Sequence, residues 1–281
     1  MKLSFCTMGY LEYCTAEETV RRVARHGYDG IDFWAYSPHL GPDIYDKEDR
    51  KKIRELVKQH NLEITGLSVN GGTLALHLNL SHSNPKVRKQ ALDYLLDCIE
   101  LAVDIECPIV NLISGHKVYP TTQEEAWEWN KEATIKVADE GEKKGIVVAL
   151  HSLTPCESTV MVTLDDLIRM KNEIGHKNIK LCIDTADQNV TDPNLYSAIL
   201  KAGDDLVYFH VNDNFGEKRG DIHWPPGRGN INWELVLVAL KEINYKGCLM
   251  VQSHNIGGPI DIDGWALEAK RYLDPLIEKI F

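Results

Sequence analysis

Two histidines, an aspartate and a glutamine stand at or just beyond the ends of four successive short apolar runs. They are His151, Asp184, His210 and Gln252. Two imidazoles, one carboxylate and one amide oxygen converging on a point make a competent shell for a divalent cation, with positions left open for a substrate. The nitrogen-rich set leans away from Mg²⁺ toward Mn²⁺, with Zn²⁺, Co²⁺ and Fe²⁺ as further choices. Other polar groups recur at the same ends or in the loops beyond them: Trp34 and Tyr36, Asn70, His116, Asp187, Asp213, His223 and His254. Trp34, Tyr36 and Trp224 offer apolar faces to a bound ligand, and His116, Asp187 and His223 can hydrogen-bond its polar groups. Lys218, Arg219 and Arg228 with Gly227 and Gly229 form a small basic loop able to meet a phosphate, and Gly257-Gly258 a second backbone cradle. If His151 is not a ligand it is a candidate base, and Asp213 a group to orient His210.

The elements that must position these groups follow from the periodicity. Short apolar runs at Lys2–Cys6, Gly30–Phe33, Glu63–Val69, Ile109–Ile113, Ile146–Leu150, Ile179–Ile183, Leu206–Val211 and Gly247–Val251 have the character of strands buried on both faces. Helical segments alternate with them. Thr15 with Glu18 is a capping box, Thr163 with Asp166 starts another helix, Asn84-Pro85 opens a long helix over Lys86–Val103, and Thr121–Lys144 is longer still. Gly27, Gly145 and Gly247 fall where a C′ glycine is expected. Eight strands alternating with about eight helices, no Pro/Gly/Ser-rich linker and no GxGxxG after the first strand predict one (β/α)₈ TIM barrel domain over residues 1–281. In that fold the chemistry lies at the C-terminal ends of the strands, where the polar residues stand.

Composition narrows the function classes. The 42 acidic against 31 basic residues give a formal charge of −11, the wrong sign for nucleic acid or an anionic membrane surface. Hydrophobic content of 43% with 26% charged residues is that of a globular chain. Seven scattered cysteines without a CxxC pair predict reduced thiols, and the first residues lack a signal-peptide core, so a cytoplasmic protein is expected.

Several stretches carry a resemblance: ALHSLTPCES at 149–158, LCIDTADQN at 181–189, FHVND at 209–213, PPGRG at 225–229, the Gln252 strand end, and LNLS at 78–81 before the Arg88 helix. In this order they resemble the sugar phosphate isomerase/epimerase superfamily of xylose isomerase-like TIM barrels, over nearly the whole chain. The resemblance implies a Glu, Asp, His, Glu metal shell on strands five to eight. Asp184 and His210 match it, whereas His151 and Gln252 replace the two glutamates, which in family epimerases also serve as the two bases. A glutamine amide cannot take a proton at neutral pH. The family histidine three residues after the aspartate is Asp187 here. Glu157, six residues after His151, matches a glutamate that touches substrate in related epimerases. Against three carboxylates, which leave M²⁺ at −1, one carboxylate leaves +1 and a stronger Lewis acid.

The function expected on these grounds is a divalent-metal-dependent isomerase or epimerase that abstracts a proton next to the carbonyl of a sugar or keto-sugar, with Glu157 or His151 moving the proton. Loss of the opposing base leaves open a lyase, dehydratase or C-glycoside deglycosidase subunit acting on a 3-keto-sugar with a small partner subunit. A non-catalytic sugar-binding pseudoenzyme is the third alternative. The expected partners are a small sugar and further copies of the chain, with no nucleic acid and no membrane.

Overall fold

The computed structural model describes residues 1–69, 77–217, 222–255 and 261–281. The predicted strands form as β1 (Leu3–Cys6), β2 (Gly30–Trp34), β3 (Glu63–Ser68), β4 (Ile109–Leu112), β5 (Val147–His151), β6 (Ile179–Asp184), β7 (Leu206–Val211) and, after a two-residue β8 (Ile222–His223), β9 (Leu249–Val251). The parallel sheet closes in the order β1-β2-β3-β4-β5-β6-β7-β9, a TIM barrel in one domain. β8 and β10 (His254–Asn255) form a separate antiparallel pair, His254 opposite His223, which sequence periodicity did not show.

Helices cover the outside: α1 (Ala16–Arg25), α2 (Lys47–Gln59), α3 (Pro85–Asp104), α4 (Gln123–Lys144), α5 (Leu164–Ile174), the short α6 (Thr185–Thr191), α7 (Leu195–Ala202), α8 (Trp233–Glu242) and α9 (Ile262–Ile280). Their starts are chemical. Thr122 with Glu125 and Thr163 with Asp166 are reciprocal capping boxes, and Asn84 caps a helix whose first residue is Pro85. α4 ends on Gly145 at φ 73°, a left-handed conformation that glycine adopts without a Cβ clash. No helix among the described residues is long and apolar enough to cross a membrane. The cysteines are free thiols.

The strands are buried on both faces, but the two faces differ. One face carries Leu3, Phe5, Ile31, Phe33, Val148, Leu150, Phe209 and Val211 into the main core beneath the helices. The alternate residues point into the barrel. There a small cluster of Cys6, Trp34, Ala149, Cys182, Tyr208 and Met250 shares the space with Asp32, Ser68, Asn111, His151, Asp184, His210 and Gln252, all buried. The interior toward the C-terminal ends is therefore polar rather than a stack of branched aliphatics. Parallel register places Asp184 opposite His210 and His151 opposite Cys182, and Gln252 follows the Val211–Val251 pair.

Candidate active site

Asp184 ends β6 and caps α6: its Oδ1 accepts the backbone N–H groups of Ala186 at 2.9 Å and Asp187 at 3.1 Å. That cap turns the chain so that Asp187 follows it into the barrel mouth. Oδ2 accepts Nδ2 of Asn212 at 2.8 Å and faces Nδ1 of His210 at 3.5 Å and Nδ1 of His223 at 3.6 Å. Asn212 is itself fixed, because its Oδ1 accepts Ala186 N–H at 2.8 Å and Thr185 Oγ1 at 3.0 Å. Burial alone raises the Asp184 pKa, but His223 and His210 outweigh it and hold the carboxyl well below the usual range. The group is an anion at neutral pH.

His210 is pushed down to about 4, chiefly by burial, with Asp184 opposing the shift. Its ring is therefore neutral at pH 7 and offers a lone pair, and neither nitrogen has a hydrogen-bond partner among the described residues. The ring meets His151 edge-on at 4.7 Å and Tyr208 at 4.6 Å. Three more ligand-type groups are equally unsatisfied: Nε2 of His151, both oxygens of Asp187 and Oε1 of Gln252. Gln252 directs Nε2 to the Met8 sulfur at 3.5 Å, which leaves the amide oxygen as its unsatisfied end. His151 Nε2 lies 3.7 Å from Asp187 Oδ2, and His223 Nε2 lies 3.6 Å from Asp187 Oδ1. These distances are too long for hydrogen bonds but suit donors that share an ion or a substrate hydroxyl. Donor atoms of His151, Asp184 and Asp187 lie within 4.8 Å of one another, as do those of His151, Cys182 and His210. Buried polar groups are normally satisfied, so this concentration of orphaned donors fits a divalent cation and a polar ligand.

His151, Asp184, Asp187, His210 and His223 are thus brought together, with Gln252 ending the neighbouring strand. Trp34 is buried in the inner cluster against which Met8 packs, with an indole N–H that has no partner among the described residues. Glu157 lies buried on the loop after β5, where Thr154 Oγ1 donates to its Oε2 at 3.1 Å. His116 is half-buried against the Cys156 backbone of that same loop, not against the aspartates, and burial lowers its pKa. Arg228 departs from its expected place. It makes two hydrogen bonds to Glu268, at 2.7 and 2.6 Å, and stacks 5.0 Å from the Trp265 ring. Its charge is spent on α9 at the protein surface rather than in the pocket.

Asp213 is the second departure. Its carboxylate accepts the N–H groups of Gly227 at 2.9 Å, Ile231 at 3.3 Å and Trp233 Nε1 at 3.0 Å. It anchors the 225–233 loop, not His210. The PPGRG glycines serve this anchor: Gly227 sits at φ 92°, and a Cβ on Gly229 would fall 2.2 Å from Asp213 Oδ1. Asp213→Asn turns one acceptor into a donor among these three N–H groups. It is expected to cost about 1–3 kcal/mol of unfolding free energy in urea, and an unchanged midpoint would contradict the anchoring. Asn70, Lys218, Arg219 and Gly257-Gly258 lie outside the described residues. Sequence reasoning missed Asn111 and Asn212, and it gave no role to His254, which stacks on His223 at 4.4 Å. Asn212 stands inside the FHVND stretch just past the end of β7, where an asparagine carries no periodic signal.

A closed parallel barrel with carboxylate and imidazole gathered at its C-terminal mouth defines a class of TIM-barrel proteins with a metal-capable pocket. Within that class the chain belongs to the xylose isomerase-like TIM barrel family, whose model matches residues 20–276. It is 24% identical over 253 residues to the fructoselysine 3-epimerase of Shigella flexneri, covering 90% of each chain. It is 27% identical over 251 residues to the D-psicose 3-epimerase of Ruminiclostridium cellulolyticum, covering 86% of this chain and 79% of that one. The solved structure of a D-tagatose 3-epimerase-like protein superposes with a TM-score of 0.84 at 23% identity, covering 100% of this chain and 98% of that one.

Proposed function

We propose that the protein is a divalent-metal-dependent isomerase or epimerase that moves a proton next to the carbonyl of a ketose or other keto-sugar. The observation that carries this is the set of buried, unsatisfied donor atoms around Asp184. The relatives named as ketose 3-epimerases support the same class, that of an isomerase/epimerase-type enzyme. Asp184, His210 and the amide oxygen of Gln252 would hold the ion, with His151 facing it from β5. When bound, a divalent ion polarises a hydroxyl–carbonyl pair of the sugar, and the nitrogen content of the set favours Mn²⁺.

The remaining work falls to the chain. Glu157 takes the proton from the carbon beside the carbonyl as the C–H electron pair moves toward the carbonyl oxygen. Return of that proton to the neighbouring carbon gives isomerisation. Delivery to the original carbon from the opposite face gives epimerisation and needs a second acid. Asp187, with both oxygens lacking a hydrogen-bond partner among the described residues, is the group available for it. Trp34 supplies an apolar wall and an indole N–H without a partner among the described residues, His223 a hydroxyl partner, and His116 a polar edge beside the Glu157 loop.

Protein loaded with Mn²⁺ is expected to convert at least one of D-psicose, D-tagatose, L-ribulose and fructoselysine in D₂O. The product should carry deuterium next to the carbonyl by NMR. A chelator should lower the rate at least about tenfold, and added metal should restore it. Absence of both product and solvent exchange across the panel with loaded protein would overturn the proposal.

A further inference from the structure

Asn111, on the inner face of β4, makes two contacts that together set the orientation of its amide. Its Oδ1 accepts the backbone N–H of Val69 at 2.5 Å, and its Nδ2 lies 3.1 Å from Nδ1 of His151. A backbone N–H can only donate, so the atom facing Val69 is the oxygen and the atom facing His151 is the NH₂. The NH₂ can only donate as well, so Nδ1 of His151 must accept. Neutral imidazole carries one ring N–H, which is left on Nε2. A proton on Nδ1 would set two donors face to face, and flipping the amide would merely move that conflict to Val69. Asn111 and His151 are 0% and 1% exposed, so no solvent relieves either arrangement.

From this lock we infer that His151 acts as a neutral hydrogen-bond donor through Nε2–H toward the reacting oxygen of the substrate, and that Asn111 is the positioning residue that keeps it in that state. The inference rests on the keto-sugar proposal for what that oxygen belongs to. A ring nitrogen that bears a proton has no lone pair for an ion or for a substrate proton, so His151 is neither ligand nor base in this tautomer. Its Nε2 has no hydrogen-bond partner among the described residues, and Asp187 Oδ2 lies 3.7 Å away. A neutral imidazole N–H can polarise a carbonyl and stabilise its developing negative charge while keeping its own proton. The two glutamate positions of the family are then divided differently here: ligation rests on Asp184, His210 and Gln252, and β5 supplies a donor.

Long-range ¹⁵N–¹H correlation of the histidine rings in the metal-free protein, with His151 assigned by its loss in His151→Gln, reads the tautomer directly. The expected result is a bare Nδ1 and a protonated Nε2. Asn111→Asp should move the proton to Nδ1, because a carboxylate can accept from both Val69 and His151, and should lower turnover about 100-fold or more. His151→Gln, whose amide NH₂ can still donate, should bind Co²⁺ within about threefold of the wild type by calorimetry. It should also keep more turnover than His151→Ala, which should lose about 10²–10³-fold. A proton on Nδ1 in the wild type, or a loss of Co²⁺ affinity above about tenfold in His151→Gln, would overturn the inference in favour of a ligand role. A wild type with protonated Nε2 but with neither metal binding nor turnover would overturn the keto-sugar proposal and still confirm the lock.

Discussion

Asp184→Asn is expected to lower turnover by at least about 10³-fold and to weaken Mn²⁺ or Co²⁺ binding by more than about 100-fold. Changes to groups that merely support a ligand already weaken metal affinity about 10–100-fold, and Asp184 is the central anion of the set. Its Oδ2 faces His210 at 3.5 Å and His223 at 3.6 Å, and the N–H groups of Ala186, Asp187 and Asn212 donate to its oxygens and favour the anion in a fully buried place. Asparagine removes the charge with almost no change of shape. The helix cap survives, because an asparagine Oδ1 can still accept Ala186 and Asp187 N–H and asparagine is among the preferred caps. What is lost locally is the acceptor for Asn212 Nδ2, now at 2.8 Å, which would meet an NH₂. That conflict is worth about 1–3 kcal/mol, too little to unfold a barrel of this size. Calorimetric titration with Co²⁺ and a parallel thermal melt separate the two effects. Retained metal binding in a folded variant would mean that the ion, if any, is held elsewhere in the polar mouth.

How far this site could be seen beforehand depended on the kind of signal each part leaves. The eight strands alternate with capped helices, and both features have periods and residue types that survive without tertiary context. Strand ends were therefore placed to within two residues, and with them His151, Asp184 and His210, since parallel register in a closed barrel leaves their relative heights little freedom. The partners of those residues come from loops. Asp187 enters the cluster because Asp184 caps a seven-residue helix that apolar periodicity does not mark, and His223 because β8 pairs with β10, each only two residues long and too short to show a period. Arg228 and Asp213 went the other way. A basic glycine-containing loop has the composition of a phosphate site, but Asp213 takes the loop's N–H groups and Glu268 takes the guanidinium. Composition shows what a loop could bind, whereas the contacts show that the Gly227 N–H and the Arg228 guanidinium are already engaged. The polar inner face was likewise hidden. A strand with one apolar face and one buried polar face has the same apolar run as a fully aliphatic one once Tyr, Cys and Met are counted as apolar.

The cost of that inner face should be measurable at Asp32. Its carboxyl is fully buried on β2, receives Ser68 Oγ at 2.8 Å and the Tyr208 hydroxyl, and lies beside Cys6. Burial pushes its pKa up to about 7, against the pull of Ser68 and Cys6. The unfolded chain loses this proton near the ordinary value of 3.8, and the folded chain keeps it until about 7. Between those limits the folded state binds more protons, so stability from this group is fully present below about pH 4. It falls as pH rises toward 7 by about 1.4 kcal/mol per unit and levels off above. The whole loss is roughly 4 kcal/mol as an order of magnitude. Asp32→Asn cannot ionise, yet keeps an oxygen for Ser68 and an NH₂ that the Tyr208 hydroxyl can accept. The variant is therefore expected to match or trail the wild type at pH 5 and to exceed it at pH 8.5, the difference growing through the window. Urea unfolding at the two pH values measures it, since other carboxylates cancel between the two proteins. Parallel pH profiles would show that Asp32 ionises at an ordinary pH and that the layer under His210 is hydrated. A crossing would show that this layer holds a neutral acid, at a stability cost that an aliphatic barrel would not carry.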